Sequence, residues 1–179
     1  MKKPTLYLDT NIVSTLHYDG TDINGLARRM ATRDWWDSER RGFELFASVV
    51  TEQELGAGVY DSQSACLRLV RRLKYVPITG EIRRLAAVFL DQRLVPPNKP
   101  GDAAQLAVAI AHQMDYLLTW NYAHLANPAT QARGEAIVAK LGLRMPWLVS
   151  PDSMPRANLG QTIRRRTDPR SPFRPDHGG

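Results

Sequence analysis

Along the chain, short apolar runs alternate with longer stretches of helical periodicity. Thr5 to Leu8 is an apolar run long enough for a buried strand. Helical pattern resumes near Ile12 and again from about Ile23 to Arg41. Phe43 to Val50 reads as a second strand, followed by helices over Thr51–Val59 and Gln63–Leu73. Lys74 to Ile78 is a third strand and Thr79 to Arg93 a helix. Pro96, Pro97, Asn98 and Pro100-Gly101 then mark a loop. Asp102 to Gln113 is an alanine-rich apolar helix, Tyr116 to Thr119 a fourth strand, Thr130 to Leu141 a helix and Met145 to Val149 a fifth strand. Strands and helices alternating in this way predict an α/β fold, a parallel sheet with helices on both faces.

Near Pro151 the pattern stops. Residues 151–179 hold five prolines and six arginines, Arg164-Arg165-Arg166 among them, with almost no core-forming side chains. The expected organisation is one α/β domain over residues 1–150 and a flexible Pro/Arg-rich tail over 151–179. The tail is either a solvated basic segment or an arm that grips phosphates.

Composition narrows the class. At 179 residues the chain has room for one α/β domain with a real core. A net charge of +6 favours anionic partners such as nucleic acid or a membrane surface. The lone cysteine, Cys66, excludes an intramolecular disulfide and suits a reducing cytoplasm. Its neighbours Ala65 and Leu67 suggest a small buried residue. The apolar run after Met1-Lys2-Lys3 is too short for a signal peptide, and no segment is long enough to span a membrane. Metal-binding Cys/His spacing, a Walker-type glycine loop and a Gly-x-Ser-x-Gly elbow are all missing.

The chemistry lies at strand ends. In an open parallel sheet, ligands bind outside the carboxyl ends of the strands. Strand one runs into Asp9-Thr10-Asn11, strand two into Thr51-Glu52-Gln53-Glu54, and strand four into Thr119-Trp120-Asn121. Asp102 opens the helix before strand four. Helix N-termini share that edge, so Asp9, Glu54, Asp102 and Asn121 are expected to converge. Three carboxylates and an amide make an oxygen-rich site for a hard divalent cation, Mg²⁺ or Mn²⁺. Each residue also has a capping alternative: Asp9 and Asp102 as N-caps, Glu54 closing a capping box with Thr51, Asn121 capping the turn after it. Thr10 and Thr119 have the alternative of being satisfied turn hydroxyls. Asp115 precedes strand four and belongs at the opposite edge. Glu52 points about 200° away from Glu54 around a helix. His112 and His124 read as a helix residue and a turn residue.

Taken in order, Leu-Tyr-Leu-Asp-Thr-Asn, Ser-Val-Val-Thr-Glu-Gln-Glu-Leu-Gly-Ala-Gly, Asp-Ala-Ala-Gln-Leu-Ala-Val-Ala-Ile-Ala and Asp-Tyr-Leu-Leu-Thr-Trp-Asn-Tyr-Ala-His-Leu-Ala-Asn resemble the PIN-domain family, which includes the VapC-type toxins of bacterial toxin–antitoxin pairs. The resemblance covers residues 4–149. It implies an α/β/α sandwich with a central parallel sheet of about five strands and a Mg²⁺- or Mn²⁺-dependent ribonuclease site. By position, Asp9 is the first carboxylate ligand, Glu54 the second acidic residue and Asp102 the third, with the metal on Asp9 and Asp102. Thr119 and Asn121 complete the rim, Asn11 supports Asp9, and Thr10 orients ligands. The implied activity is an endoribonuclease, the toxin of a toxin–antitoxin pair, with RNA as substrate, a cognate antitoxin as partner, a homodimer as assembly and the cytoplasm as location. Many members carry Asp where this chain has Asn121, which removes one negative charge and leaves a second metal open. A catalytically weakened PIN-like RNA-binding or scaffold module is therefore the alternative. A haloacid-dehalogenase phosphatase needs a second Asp at position 11. A response-regulator receiver needs an acidic pair and a late lysine. The segment from Asp22 to Arg41 is a place for an antitoxin or a dimer partner, or else Trp35 and Trp36 pack on the core.

Overall fold

The apolar run after Pro4 is a central strand, β1 (Thr5–Leu8), paired on both edges and buried on both faces. The computed structural model describes residues 2–154. The chain continues through α1 (Thr10–Leu16), α2 (Ile23–Ser38), β2 (Glu44–Ser48), α3 (Val49–Gly56), α4 (Gln63–Val70), β3 (Lys74–Val76) and α5 (Gly80–Asp91). It ends with α6 (Pro100–Ala111), β4 (Tyr116–Leu118), α7 (Pro128–Ala139) and β5 (Trp147–Val149). All four strand pairings are parallel, and the order is β3-β2-β1-β4-β5. The expected five-stranded α/β architecture is the one observed.

Strand alternation divides the core into layers. Tyr7 and Leu117 face α5, α6 and α7, packing with Ile82, Leu85, Phe89, Leu106 and Val138. Leu6, Leu8 and Leu118 face the other way, against Ile12 of α1 and Trp35 of α2. Val13, Ala47, Leu55, Cys66 and Val70 join α1, α3 and α4, so Cys66 is the buried residue its neighbours suggested. Phe89 is fully buried at the centre of the first layer. Phe89→Ala is expected to cost about 3–5 kcal/mol. Urea denaturation checks this, and a loss below ~1 kcal/mol would mean that this layer carries little of the stability.

Element types follow the sequence pattern, but several ends move. Val49 and Val50 belong to α3 rather than to β2, because the Ser48 hydroxyl accepts from the Val50 amide (3.2 Å) and starts the helix there. Thr51 then lies inside α3, so Thr51 and Glu54 form no capping box. α6 starts at Pro100, a residue suited to the first helical turn, which puts Asp102 inside that turn rather than at the cap. Pro151 and Met154 are buried, and Met154 packs beside Leu118 and Trp120. The tail beyond Met154, including Arg164–Arg166, lies outside the described residues.

The strand order sets where a site can form. Connections run from β1 outward through β2 to β3, and then return to β4 on the other side of β1 and on to β5. The direction reverses between β1 and β4, which opens a crevice at their carboxyl ends. Asp9 follows β1 directly, and Thr119 follows β4.

Candidate active site

Asp9 is a carboxylate that folding has put out of water, at 5% exposure. Its side chain caps nothing. Instead Asp9 Oδ2 accepts from the Asn11 amide (2.7 Å) and from the Thr119 hydroxyl. The orientation of Asn11 follows from a donor that cannot be reversed. The Trp120 backbone N–H donates to Asn11 Oδ1 (2.9 Å), so the NH₂ group faces Asp9. Thr119 is fixed by the same logic. Its oxygen accepts from Asn11 Nδ2 and from the Asn121 N–H (both 3.0 Å), so its own proton goes to Asp9. Burial, with the charges of Glu54 and Asp102 added to it, pushes the Asp9 carboxyl up to about 7 against the opposing Thr119 hydrogen bond.

Glu54 and Asp102 hold the two other corners. Glu54 Oε2 accepts from the Thr10 hydroxyl and from Gln105 Nε2 (2.8 Å). Gln105 Nε2 also donates to Thr10 Oγ1 (2.8 Å). The other Glu54 oxygen lies against Gly101, so closely that a Cβ on residue 101 would overlap it. Asp102 Oδ2 accepts from Asn121 Nδ2 (2.7 Å). Here too a backbone donor sets the amide: the His124 N–H donates to Asn121 Oδ1 (3.0 Å), leaving the NH₂ for Asp102. Asn121 therefore caps its turn and also offers Asp102 a donor rather than a lone pair. The structure thus brings Asp9, Asn11 and Thr119 into contact, joins Asn121 to Asp102, and joins Thr10 to Glu54. Among the described residues, no three of His, Cys, Asp and Glu draw together tightly enough to hold a metal by themselves.

The matching family model is that of the PIN domain, over residues 6–126. The chain belongs to the PIN-domain family. Solved structures show the same fold at low identity. A toxin–antitoxin complex from Klebsiella pneumoniae is similar at 18% identity and TM-score 0.53, over 84% of this chain and all of that one. VapC20 of Mycobacterium tuberculosis, a sarcin-ricin loop cleaving toxin, is similar at 18% identity and TM-score 0.50, over 73% of this chain and 95% of that one. VapBC-1 from nontypeable Haemophilus influenzae is similar at 16% identity and TM-score 0.50, over 83% and 99% of the two chains. No curated protein matches the sequence.

The residues of this PIN domain suit a hard divalent ion. The oxygens at the crevice are those of carboxylates and hydroxyls, with neither thiol nor imidazole among the bonded groups. A buried Asp9 facing two further negative groups lacks positive charge, and a cation on Asp9 and Asp102 would supply it.

Other acidic residues sit where their sequence positions put them. Glu52 turns away to pair with Arg71 (2.6 Å) and Tyr75 (2.9 Å). Asp115 accepts from the Thr5 amide and hydroxyl at the opposite edge (2.8 and 2.9 Å). His112 bonds the Pro77 carbonyl (2.8 Å).

Sequence reasoning missed Gln105 and Gly101. Gln105 is 1% exposed within a helix face of Ala103, Leu106, Ala107 and Val108. The Thr51 hydroxyl donates to its Oε1 (3.5 Å) and also bonds the buried Tyr7 hydroxyl (3.2 Å), which reaches Ser48 (2.7 Å). A lone amide in an otherwise apolar run was the available signal, since a buried polar group needs partners.

Proposed function

We propose that this PIN-domain protein is a divalent-metal-dependent endoribonuclease, the toxin of a toxin–antitoxin pair. The observation that carries the reading is the buried Asp9 carboxylate at the β1/β4 crevice, with the charges of Glu54 and Asp102 bearing on it. Asp9 and Asp102 are the residues that would hold Mg²⁺ or Mn²⁺. When bound, such an ion neutralises phosphate charge and acidifies water. Glu54, with one oxygen tied to Thr10 and Gln105, keeps the other for the attacking water and takes its proton. Asn11 and Thr119 hold Asp9 in place, so the carboxylate is set before substrate arrives. Asn121 brings no negative charge and offers Asp102 a donor, which favours one ion over two.

Family membership and the shared fold of the toxin–antitoxin structures support an antitoxin partner. So does α2, where Ile23 (80% exposed), Leu26 and Met30 (72%) lie at helical spacing on one face and leave an apolar stripe for a partner or a second copy. Trp35 of the same helix is in the core. No described helix is long and apolar enough to cross a membrane, and the proposed site of action is the cytoplasm.

Purified protein is expected to cut single-stranded RNA with Mn²⁺, to stop in EDTA, and to lose on the order of 10²-fold or more in rate with Asp102→Asn. Cleavage that persists in both conditions would remove the site. Absence of cleavage across a broad RNA panel, with no stabilisation by Mn²⁺, would leave an RNA-binding or scaffold module.

A further inference from the structure

At the far end of α1 from the carboxylates, a cluster of the opposite charge forms. His17 follows α1, and its Nε2 is buried without a hydrogen-bond partner among the described residues. Arg29 Nε, from α2, is in the same condition. Arg33 Nε donates to the Leu16 carbonyl (3.4 Å), the last residue of α1. Burial first, then the charges of Arg33, Arg68 and Arg29, hold the His17 imidazole below its usual range. The ion pairs of the described residues use Arg40, Arg71, Lys74 and Arg144, so none of these three arginines is matched to a carboxylate there.

This arrangement costs free energy as it stands. Like charges repel, and a buried polar group without a partner has given up its water for nothing in return. The C-terminus of a helix attracts cations, but α1 is only two turns long and Arg33 alone of the three bonds one of its carbonyls. What remains is a group of guanidinium cations gathered about one imidazole, with no carboxylate in ion-pair contact among the described residues. Arg33 and Arg68 are exposed, so a ligand can reach them.

We infer that His17, Arg29, Arg33 and Arg68 form a phosphate-binding subsite for the RNA strand, set apart from the cleavage point. The inference rests on the nuclease reading for its substrate. Phosphate oxygens only accept, and guanidinium forks match them. The seven residues of α1 rise about 10 Å, so the subsite lies within reach of a short single strand whose scissile phosphate sits beside Asp9. An acidic crevice repels RNA, and cations nearby on the same helix pair offset that repulsion. α2 also carries Arg28, placed 5.7 Å over the Trp120 ring between Thr119 and Asn121, which extends the cationic surface to the rim of the crevice.

The test measures binding and cutting separately, on full-length protein. Fluorescence anisotropy of a single-stranded RNA oligonucleotide is followed across salt concentrations in EDTA, where cleavage is off. Arg33→Gln/Arg68→Gln is expected to weaken binding at least roughly tenfold and to make the slope of log K against log salt shallower by about 1.4, since each lost single-strand phosphate contact removes about 0.7. Arg33→Lys/Arg68→Lys should keep most of the slope. Arg83→Gln/Arg84→Gln, exposed on α5, should change neither quantity much. Thermal melts confirm folding, and the single variant Arg68→Gln, at an exposed position, serves if the double variant unfolds. Unchanged affinity and slope would overturn the subsite, and so would an equal loss in the α5 control, which would mean diffuse attraction. Loss of binding to an acidic protein partner with RNA binding intact would also overturn it. Wild-type protein that cuts the same RNA with Mn²⁺ while the double variant binds normally leaves the nuclease reading standing alone. Wild-type protein that binds through the cluster yet never cuts leaves the subsite standing alone.

Discussion

Asp9→Asn is expected to abolish RNA cleavage and, in EDTA at pH 8, to raise the melting temperature. The two effects share a cause. The Asp9 carboxyl is held near pH 7 in the fold, against 3.8 for an unperturbed aspartate, because burial, then the charges of Glu54 and Asp102, disfavour its ionised form. Between about pH 4 and pH 7 the folded protein therefore holds a proton that the unfolded chain has lost. Stability falls as pH rises through that window, and the whole penalty, on the order of a few kcal/mol, is present above it. Asparagine keeps the shape and does not ionise, so the penalty disappears. Melting curves at pH 5 and pH 8 in EDTA should show a larger drop for the wild type than for the variant. Parallel drops would mean that Asp9 does not titrate between them. Added Mn²⁺ should then stabilise the wild type at pH 8 and leave the variant unmoved. Cleavage by the variant should fall on the order of 10²–10³-fold or more, since a ligand of the proposed ion has lost its charge.

Gln105→Met is expected to lower cleavage about 10–100-fold by freeing Glu54, a residue it holds but does not replace. Met conserves length and volume and removes the amide. Glu54 and Thr10 lose a shared donor, and Thr51 loses an acceptor, for a stability cost of about 1–3 kcal/mol. Gly101→Ala separates position from stability. Its Cβ would meet only the end of the Glu54 side chain, which can move, and alanine suits a helix better than glycine by about 0.5–1 kcal/mol. That variant should melt no lower than the wild type while cutting more slowly. Paired kinetics and melts on both variants provide the check. Full activity in both would show that Glu54 needs neither contact.

Much of this protein is legible along its chain. The alternation of apolar runs and helical periods located β1 to β5 and the helices between them, because a buried parallel strand and an amphipathic helix differ in repeat. Strand ends pointed to Asp9, Thr119 and Asn121, since connections leave a parallel sheet at one edge. The opposite placements of Glu52 and Asp115 followed from helix angle and strand direction alone. Helix starts were less legible: one serine hydroxyl, that of Ser48, moved Val49 and Val50 from strand to helix, and a pattern of apolar residues carries no such signal.

Tertiary structure decided what the polar residues do to one another. Which way the amides of Asn11 and Asn121 face depends on the backbone donors of Trp120 and His124, supplied by the turn that follows β4. Asp9 becomes a buried, hard-to-ionise carboxylate because β1 lies between β2 and β4, and the segments around those strands bring Thr119, Glu54 and Asp102 to it. Gln105 and Gly101 acquire their roles from α3 packing against α6, and the cationic cluster around His17 exists because α2 and α4 both pack on α1. Periodicity reports which face of an element is buried. It does not report which buried face meets which, and hydrogen bonds and charges act across that gap over a few ångströms.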